Sequence, residues 1–285
     1  MDETSIDWSS VTEATYLVHQ HISYEYPGPI ADLRHRLMIV PPESHGDQRR
    51  VAQRLDISPD LPARSHTDTF GNRVVTLSAP RVDRQLAFEH WALVERKAPP
   101  CEHRVPRALL EEPGLRAPSR LTAADLALRE AGEALRAEHA NPVALAEAIN
   151  RFVFAHMTYV PDVTDVFTTA AAAFALGKGV CQDYAHVALA LARECGMAAR
   201  YVSGHLLGEG GTHAWIETIV PDGDDAVALA FDPTHDRRVS MNYVVIAVGR
   251  DYASVAPTSG VFTAEYNGVL SVRKRVGISD VRYAA

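Results

Sequence analysis

Short strand-like runs separated by turn-forming residues occupy the first third of the chain. Residues 34–40 and 73–77 are two such runs, and Pro41-Pro42 and Gly71-Asn72 are two of the breaks that bound them. Alternating apolar and polar positions are typical of strands with one buried face, and Gly, Pro and Asn favour tight turns. The pattern predicts a β-rich N-terminal domain over residues 1–96, built as an all-β sandwich of meandering strands.

Residues 97–120 show no sustained period and contain many helix breakers, namely Pro99, Pro100, Pro106, Pro113, Gly114 and Pro118. This density of Pro and Gly predicts a linker. Helical patterns follow, one after Thr122 and another from Asn141-Pro142 to about Met157, where Pro in the first turn is a favourable start. We therefore expect a second domain over residues 121–285.

A further helix is predicted to begin at Cys181. Apolar residues recur at i, i+3, i+4, i+7 and i+11, namely Tyr184, Val187, Ala188, Leu191 and Cys195. Gly196 follows at the position where a left-handed C-terminal residue is common. The helix should be buried along this stripe, which places Cys195 in the core.

Strand-like runs come next, at residues 199–206, 213–220, 227–231, 243–248 and 269–276. Short polar loops join the first three, which predicts antiparallel neighbours, and the last two should complete the same sheet. The length of the second loop suggests that Val220 faces Asp225 or Ala226. Either register places His213 opposite Asp232 or the residue after it, so an imidazole and a carboxylate become neighbours.

Cys181, His213 and Asp232 together suit thiol chemistry. The free N–H groups and dipole at a helix start favour a negative sulfur, so Cys181 is a candidate nucleophile. His213 would accept and deliver the proton, and Asp232 would fix the imidazole orientation and stabilise its charged form. Each residue alone has an ordinary structural explanation, as a core cysteine, a strand-end histidine and a turn aspartate. Their joint occurrence in this register favours a catalytic triad.

The segments Gly-Val-Cys-Gln-Asp-Tyr-Ala-His (179–186), His-Ala-Trp-Ile-Glu (213–217) and Phe-Asp-Pro-Thr (231–234) resemble the core of the transglutaminase-like superfamily, in its bacterial branch. Tyr24, Pro27, Pro41-Pro42, Pro59 and Asp68-Thr69-Phe70-Gly71-Asn72 are similar to the β-rich N-terminal region that often precedes this core. The resemblance implies an α+β fold with a papain-like core, in which helices pack on an antiparallel sheet. It also implies Cys181 as nucleophile, His213 as base and Asp232 as the orienting acid. The tryptophan often found just before the aspartate is absent here.

Tyr159, Gln182 and Trp215 are candidates for contact with the substrate. Trp215 shares the His213 face of its strand, although packing in the core explains it equally well. Gln182 and Asp183 lie in the first turn of the helix, where amides and acids are common. Tyr159 lies in the loop before that helix.

Charge and cysteine content narrow the class of protein. With 36 acidic against 28 basic residues, the chain lacks the basic excess typical of nucleic-acid binding. It contains no leader-like start and no apolar run of membrane-spanning length, so we expect a cytoplasmic protein with no membrane partner. Three irregularly spaced cysteines do not form a disulfide framework, and Cys101 in the linker has no assigned role.

The hypothesis from sequence is a cysteine peptidase or amidase that acts on a peptide or amide bond through an acyl-enzyme, with hydrolysis favoured over cross-linking. It requires no cofactor and no metal. One alternative is a catalytically silent binding or assembly module with the same fold. Another is a metal hydrolase that would draw on His186, His205 and His235 beside the triad, although no paired-ligand spacing supports it.

Overall fold

The computed structural model describes residues 6–98 and 102–284, and strands dominate its N-terminal part. The strands that precede the first α-helix are β1 (Val11–Glu25), β2 (Ile30–Val40), β3 (Ser44–His45), β4 (Gln48–Ser58), β5 (Ala63–Thr67), β6 (Arg73–Val82), β7 (Gln85–Lys97) and β8 (Glu102–Val105). Cys101 lies outside the described residues. The β-rich character predicted for this region is confirmed.

Helices and strands mix in the rest of the chain. The helices are α1 (Pro113–Arg116), α2 (Leu126–Glu138), α3 (Pro142–His156), α4 (Ala170–Leu176), α5 (Cys181–Glu194) and α6 (Tyr252–Val255), and a 3-10 helix spans Arg107–Glu111. The remaining strands are β9 (Thr158–Tyr159), β10 (Lys178–Gly179), β11 (Ala198–Leu206), β12 (His213–Asp222), β13 (Asp225–Asp232), β14 (Arg237–Arg238), β15 (Tyr243–Gly249), β16 (Thr258–Thr263) and β17 (Val269–Tyr283).

Two antiparallel sheets share a hydrophobic core in the N-terminal region. Their strand orders are β17-β1-β7-β4-β3 and β16-β2-β6-β5. Ile22 and Phe88 from the first sheet and Leu37 and Leu77 from the second belong to one buried cluster. Buried and exposed residues alternate along β7, because successive side chains of a strand point to opposite faces.

The last two strands return to these N-terminal sheets. β17 pairs with β1 along its whole length, from Val269 opposite Glu25 to Tyr283 opposite Val11, and β16 pairs with β2. The prediction that the run at 269–276 completes the sheet of residues 199–231 is therefore wrong, whereas the run at 243–248 does join it. Apolar alternation shows that a segment is a strand, but it does not specify which open sheet edge the strand will cover.

A third sheet carries the helices. Its strand order is β14-β13-β12-β11-β15, and β8, from within the predicted linker, also pairs with β13. Helix α5 packs against this sheet, and its buried Ala188 and Leu191 share a cluster with Tyr201 and Ile216 of the strands. The helix begins at Cys181, as predicted, and Gly196 just beyond its end has a φ of +78°.

Two amide side chains from the N-terminal region, Gln48 of β4 and Asn72 of the turn before β6, cover the open edge of β15. Gln48 donates to the carbonyl of Val245 and accepts from its N–H, both at 2.8 Å. Asn72 makes the same pair of bonds with Val248, at 2.6 and 2.7 Å. Both amides are buried, so each replaces the backbone of a missing neighbouring strand. The N-terminal sheets thereby hold β15 in position.

We predict that Gln48→Ala lowers the free energy of unfolding by about 2–4 kcal/mol, because two hydrogen bonds are lost and buried backbone groups of Val245 are left unpaired. Urea unfolding measures this. Gln53→Ala, an exposed change in the same strand, is the matched control and should cost less than about 0.5 kcal/mol. Equal losses for the two variants would contradict the role given to Gln48.

Candidate active site

Cys181 is the first residue of α5 and is partly exposed. The helix start is fixed by Asp183, whose Oδ2 accepts from the N–H of Val180 at 2.8 Å and from the hydroxyl of Thr164 at 2.6 Å. A first-turn carboxylate that bonds back to the residue before the helix is the acidic half of a capping box. Cys181 is thus held where the first N–H groups of the helix lack helical partners.

Gly179 is required by the position of Asp183. A Cβ atom at residue 179 would lie 2.4 Å from Oδ2 of Asp183 and 2.7 Å from its Cβ and Cγ, which is closer than real Cβ contacts. Any larger residue would displace the carboxylate that caps the helix. The Gly-Val-Cys segment therefore provides a glycine that lets Asp183 come close, the residue that precedes the helix, and the thiol.

His213 is the first residue of β12 and is buried. Its Nε2 lies 2.8 Å from Oδ2 of Asp232, and the ring also forms a hydrogen bond with Cys181. Since Nε2 is engaged with Asp232, Nδ1 is the nitrogen left for the thiol. Burial alone would lower the pKa of His213, but the bonds and charges of Asp232 and Cys181 raise it to about 10. The imidazole is therefore protonated at neutral pH.

The carboxylate of Asp232 is fully buried and accepts hydrogen bonds at both oxygens. Oδ2 accepts from His213 and His235, both at 2.8 Å, and from the hydroxyl of Tyr243 at 2.5 Å. Oδ1 accepts from the N–H of Thr234 at 2.9 Å. Burial acts to raise the pKa of Asp232, but these bonds, first among them that of His213, hold it well below its usual range.

The predicted proximity of His213 and Asp232 is confirmed, but the predicted register is wrong by one or two residues. Val220 pairs with Val227, and the pairing continues to Asp222 opposite Asp225, so that Gly223 and Asp224 form the turn. Continued past its last pair, the ladder places Trp215 opposite Asp232, with His213 two residues away on the same face. A diagonal neighbour of this kind is within reach of an imidazole.

Tyr159, Gln182 and Trp215 occupy different environments. Tyr159 is 54% exposed and lies opposite Gly179, two residues before Cys181, so it borders the site. Burial and the nearby charges of Cys181 and Glu209 raise its pKa. Gln182 is nearly buried and donates to the carbonyl of Asp165 at 3.4 Å. Trp215 has no exposed surface, and its ring lies 5.3 Å from that of Tyr243. Contact with a substrate remains a prediction for each; Tyr159 alone of the three is open to solvent.

Sequence reasoning missed three groups around the triad. Tyr243 bonds to Asp232 and accepts from Arg237 at 2.8 Å, but it reaches the site through a non-local strand pairing that no motif signals. The sequence suggests His235 only as a metal ligand. Glu209, flanked by Gly208 and Gly210, bonds to His235 at 2.8 Å and lies 3.5 Å from His213 Nδ1. Its place in the glycine-rich loop just before His213 is the only signal in the sequence.

Two groups among the described residues have the composition of a metal site. One, His213, Asp232 and His235, consists of the residues just described. The other consists of His45, His103 and Glu217, but Arg200 already donates to Glu217 at 2.6 Å and lies 3.1 Å from Nε2 of His103. A guanidinium in this place opposes a second cation.

The remaining histidines of the metal alternative lie apart from this group. His186 accepts from the N–H of Tyr252 at 3.2 Å, and His205 bonds to the carbonyl of Gly211 at 3.0 Å. Burial lowers the pKa of each to about 4, so both are neutral. Both are packed in the core, and each makes one of these hydrogen bonds while its other ring nitrogen is buried without a partner.

Two family models match the chain. Residues 129–227 match the core of the transglutaminase-like superfamily, and residues 16–95 match the bacterial transglutaminase-like N-terminal region. The chain belongs to the transglutaminase-like superfamily. The matched core includes Cys181 and His213 and ends five residues before Asp232.

Similar proteins support the same fold. Uncharacterized proteins of Mycobacterium tuberculosis and Mycobacterium bovis are 29% identical over 286 residues, which covers 90% of this chain and 90% of theirs. The crystal structure of a candidate cysteine protease from Cytophaga hutchinsonii matches with a TM-score of 0.77 at 20% identity, covering 95% of this chain and 93% of that one.

Within residues 6–98 and 102–284, no helix is both long and apolar enough to cross a membrane.

The raised pKa of His213 predicts a pH-dependent stability. An unfolded imidazole has a pKa of about 6.5. The stabilisation from charged His213 should be complete below that pH and disappear as pH rises through about 10. The gap in free energy of unfolding between wild type and His213→Gln should therefore shrink from about pH 6 to about pH 10. A gap that stays constant or widens would contradict the assignment.

We predict that Gly179→Ala slows alkylation of Cys181 by iodoacetamide and lowers the free energy of unfolding by about 1–3 kcal/mol, because the new Cβ displaces Asp183. Mass spectrometry of the labelled protein and urea unfolding are the measurements. Gly277→Ala is the matched control, since no atom lies within 4 Å of its new Cβ. If iodoacetamide alkylates Cys181 of the Gly179→Ala variant at the wild-type rate, the cap does not position the thiol.

Proposed function

We propose that the chain is a cysteine-dependent acyl hydrolase that cleaves a peptide or amide bond. The observation that carries the proposal is the continuous hydrogen-bonded series Cys181, His213, Asp232, with the thiol at a helix start. A thiol needs a proton acceptor, and the acceptor needs a fixed orientation and a partner for its charge. His213 is the proton acceptor, and the buried carboxylate of Asp232 both orients its imidazole and balances its charge.

In the first half of the reaction, the thiolate of Cys181 attacks the carbonyl carbon of the substrate and forms a carbon–sulfur bond. The negative charge moves to the carbonyl oxygen, where free N–H groups of the first turn of α5 are the donors at hand. The carbon–nitrogen bond then breaks, and the proton on Nδ1 of His213 goes to the leaving amine. A thioester on Cys181 and a neutral His213 remain.

In the second half, water replaces the amine. His213 takes a proton from the water as it attacks the thioester, and collapse of the tetrahedral species releases the acid and restores the thiolate. The imidazolium formed again is stabilised by Asp232. Asp232 stays ionised throughout, because its hydrogen bonds keep its pKa far below neutrality.

Hydrolysis is favoured over cross-linking by the exposure of the groups that border the site. Tyr159 is 54% exposed, and the side chain of Glu209 is 42% exposed. Water therefore has access to a thioester on Cys181. An amine would have to outcompete it to form a cross-link, which normally requires a site that excludes water.

Labelling with iodoacetamide tests the thiol directly. At neutral pH, Cys181 of the wild type should react faster than free cysteine, and His213→Ala should slow it by at least about tenfold, because the thiolate loses its cationic partner. Cys195 is an internal comparator, since it is buried and its pKa is raised to about 11. A Cys181 that reacts no faster than free cysteine and is unaffected by His213→Ala would favour the silent-module alternative.

The reaction itself is tested with a peptide library, with and without a trial amine, by mass spectrometry of wild type and Cys181→Ala. Cleaved products that depend on Cys181 support hydrolysis, whereas peptide–amine adducts would replace it with transamidation. Activity that survives Cys181→Ser but is lost to a chelator would identify a metal hydrolase and overturn the proposal.

A further inference from the structure

Glu209 closes a ring of hydrogen-bonding groups around the triad. One of its oxygens lies 2.8 Å from Nε2 of His235, whose Nδ1 bonds to Asp232. The other oxygen lies 3.5 Å from Nδ1 of His213, the nitrogen that also faces Cys181. Because His213 is buried and Glu209 is exposed, a molecule that approaches Nδ1 from solvent meets this carboxylate.

The loop that carries Glu209 is anchored at both ends. On one side, the N–H of Leu207 donates to the carbonyl of Asn242 at 2.9 Å. On the other, the carbonyl of Gly211 bonds to the buried His205 at 3.0 Å. Between these anchors, Gly208 and Gly210 adopt φ values of +90° and +69°, which favour glycine. The backbone is thus shaped to present one acidic side chain to the site.

His213 is a cation close to Glu209, but its charge is also engaged by Asp232, so it offsets the charge of Glu209 only in part. The guanidinium of Arg237 bonds to Tyr243, which donates to Asp232 rather than to Glu209. Among the described residues, the contacts of Glu209 at the site are His213 and His235. A carboxylate of this kind attracts cations and repels anions.

Tyr159 supplies a second feature that favours a cation. It lies opposite Gly179 in the ladder of β9 and β10, two residues before Cys181, so it borders the approach to the thiol. Burial and the charges of Cys181 and Glu209 raise its pKa. Its side chain is more than half exposed. An aromatic ring beside a carboxylate is a common setting for an ammonium or guanidinium group, because both the π face and the negative charge attract it.

We propose that Glu209 and Tyr159 form a subsite for a positively charged group on the amine side of the scissile bond. Nδ1 of His213 delivers its proton to the leaving amine, so the group next to Nδ1 on the solvent side contacts the leaving part of the substrate. The substrate class is thus a peptide with a cationic residue directly after the cleaved bond. This assignment rests on the proposed function.

Charged thiol reagents test the subsite without a known substrate. Methanethiosulfonate reagents that carry a trimethylammonium or a sulfonate group transfer their charged thioalkyl group to the thiolate, with methanesulfinate as the leaving group. We expect the cationic reagent to react faster with Cys181 than the anionic one, once each rate is normalised to a neutral small thiol. Glu209→Gln should lower this ratio of rates by about tenfold, and Glu209→Lys should invert the preference.

Asp224→Asn is the matched control. It removes the same charge in the turn after β12, and the length of that strand separates it from His213 by about 30 Å. Salt screens charges that far apart, because the Debye length is only about 10 Å. Its ratio should change by less than about twofold. A Glu209→Gln ratio no different from that of Asp224→Asn, with Cys181 still reactive, would overturn the subsite alone. A Cys181 that neither reagent modifies faster than free thiol would instead overturn the proposed function.

The peptide library gives the second readout. Bonds cleaved by the wild type should be enriched in Lys or Arg on the amine side, and the Glu209→Gln enzyme should lose that enrichment mainly through a higher KM. Cleavage with no preference at that position would contradict the subsite, while the cleavage itself would still support the hydrolase.

Discussion

The buried carboxylate of Asp232 is the constraint on which the rest of the site depends. An ionised group without solvent is tolerated only when donors replace the lost water. Four donors do so, and they come from the start of β12, the turn after β13 and the start of β15. The carboxylate therefore ties together parts of the chain that are not adjacent in sequence. Moving any of them would leave a buried charge or a buried donor unpaired.

The N-terminal sheets contribute to this arrangement from a distance. Gln48 and Asn72 hold the backbone of β15, and β15 begins with Tyr243, which donates to Asp232. Arg96, from β7, donates to the carbonyl of Tyr243 itself. The β-rich region thus acts as a scaffold for one edge of the helix-bearing sheet. Its amide side chains occupy positions that the backbone of another strand would otherwise fill.

Local patterns in the sequence were sufficient for the helix at Cys181 and for the hairpin that carries His213 and Asp232. A helix start, a glycine end and a short polar loop are all encoded within a few residues. Tyr243 could not be predicted, because its bond to Asp232 depends on the pairing of β11 with β15. The partner of β17 was mispredicted for the same reason. Glu209 was visible only as one acid in a glycine-rich loop.

Because β17 pairs with β1, the chain completes the helix-bearing sheet first and then returns to the N-terminal sheets. During synthesis from the N-terminus, β1 leaves the ribosome some 240 residues before the strand that covers its outer edge. An uncovered edge is a site where another chain can add. For that interval the edge of β1 stays open to unwanted pairing, although all the residues of the thiol site have already been synthesised when β17 emerges.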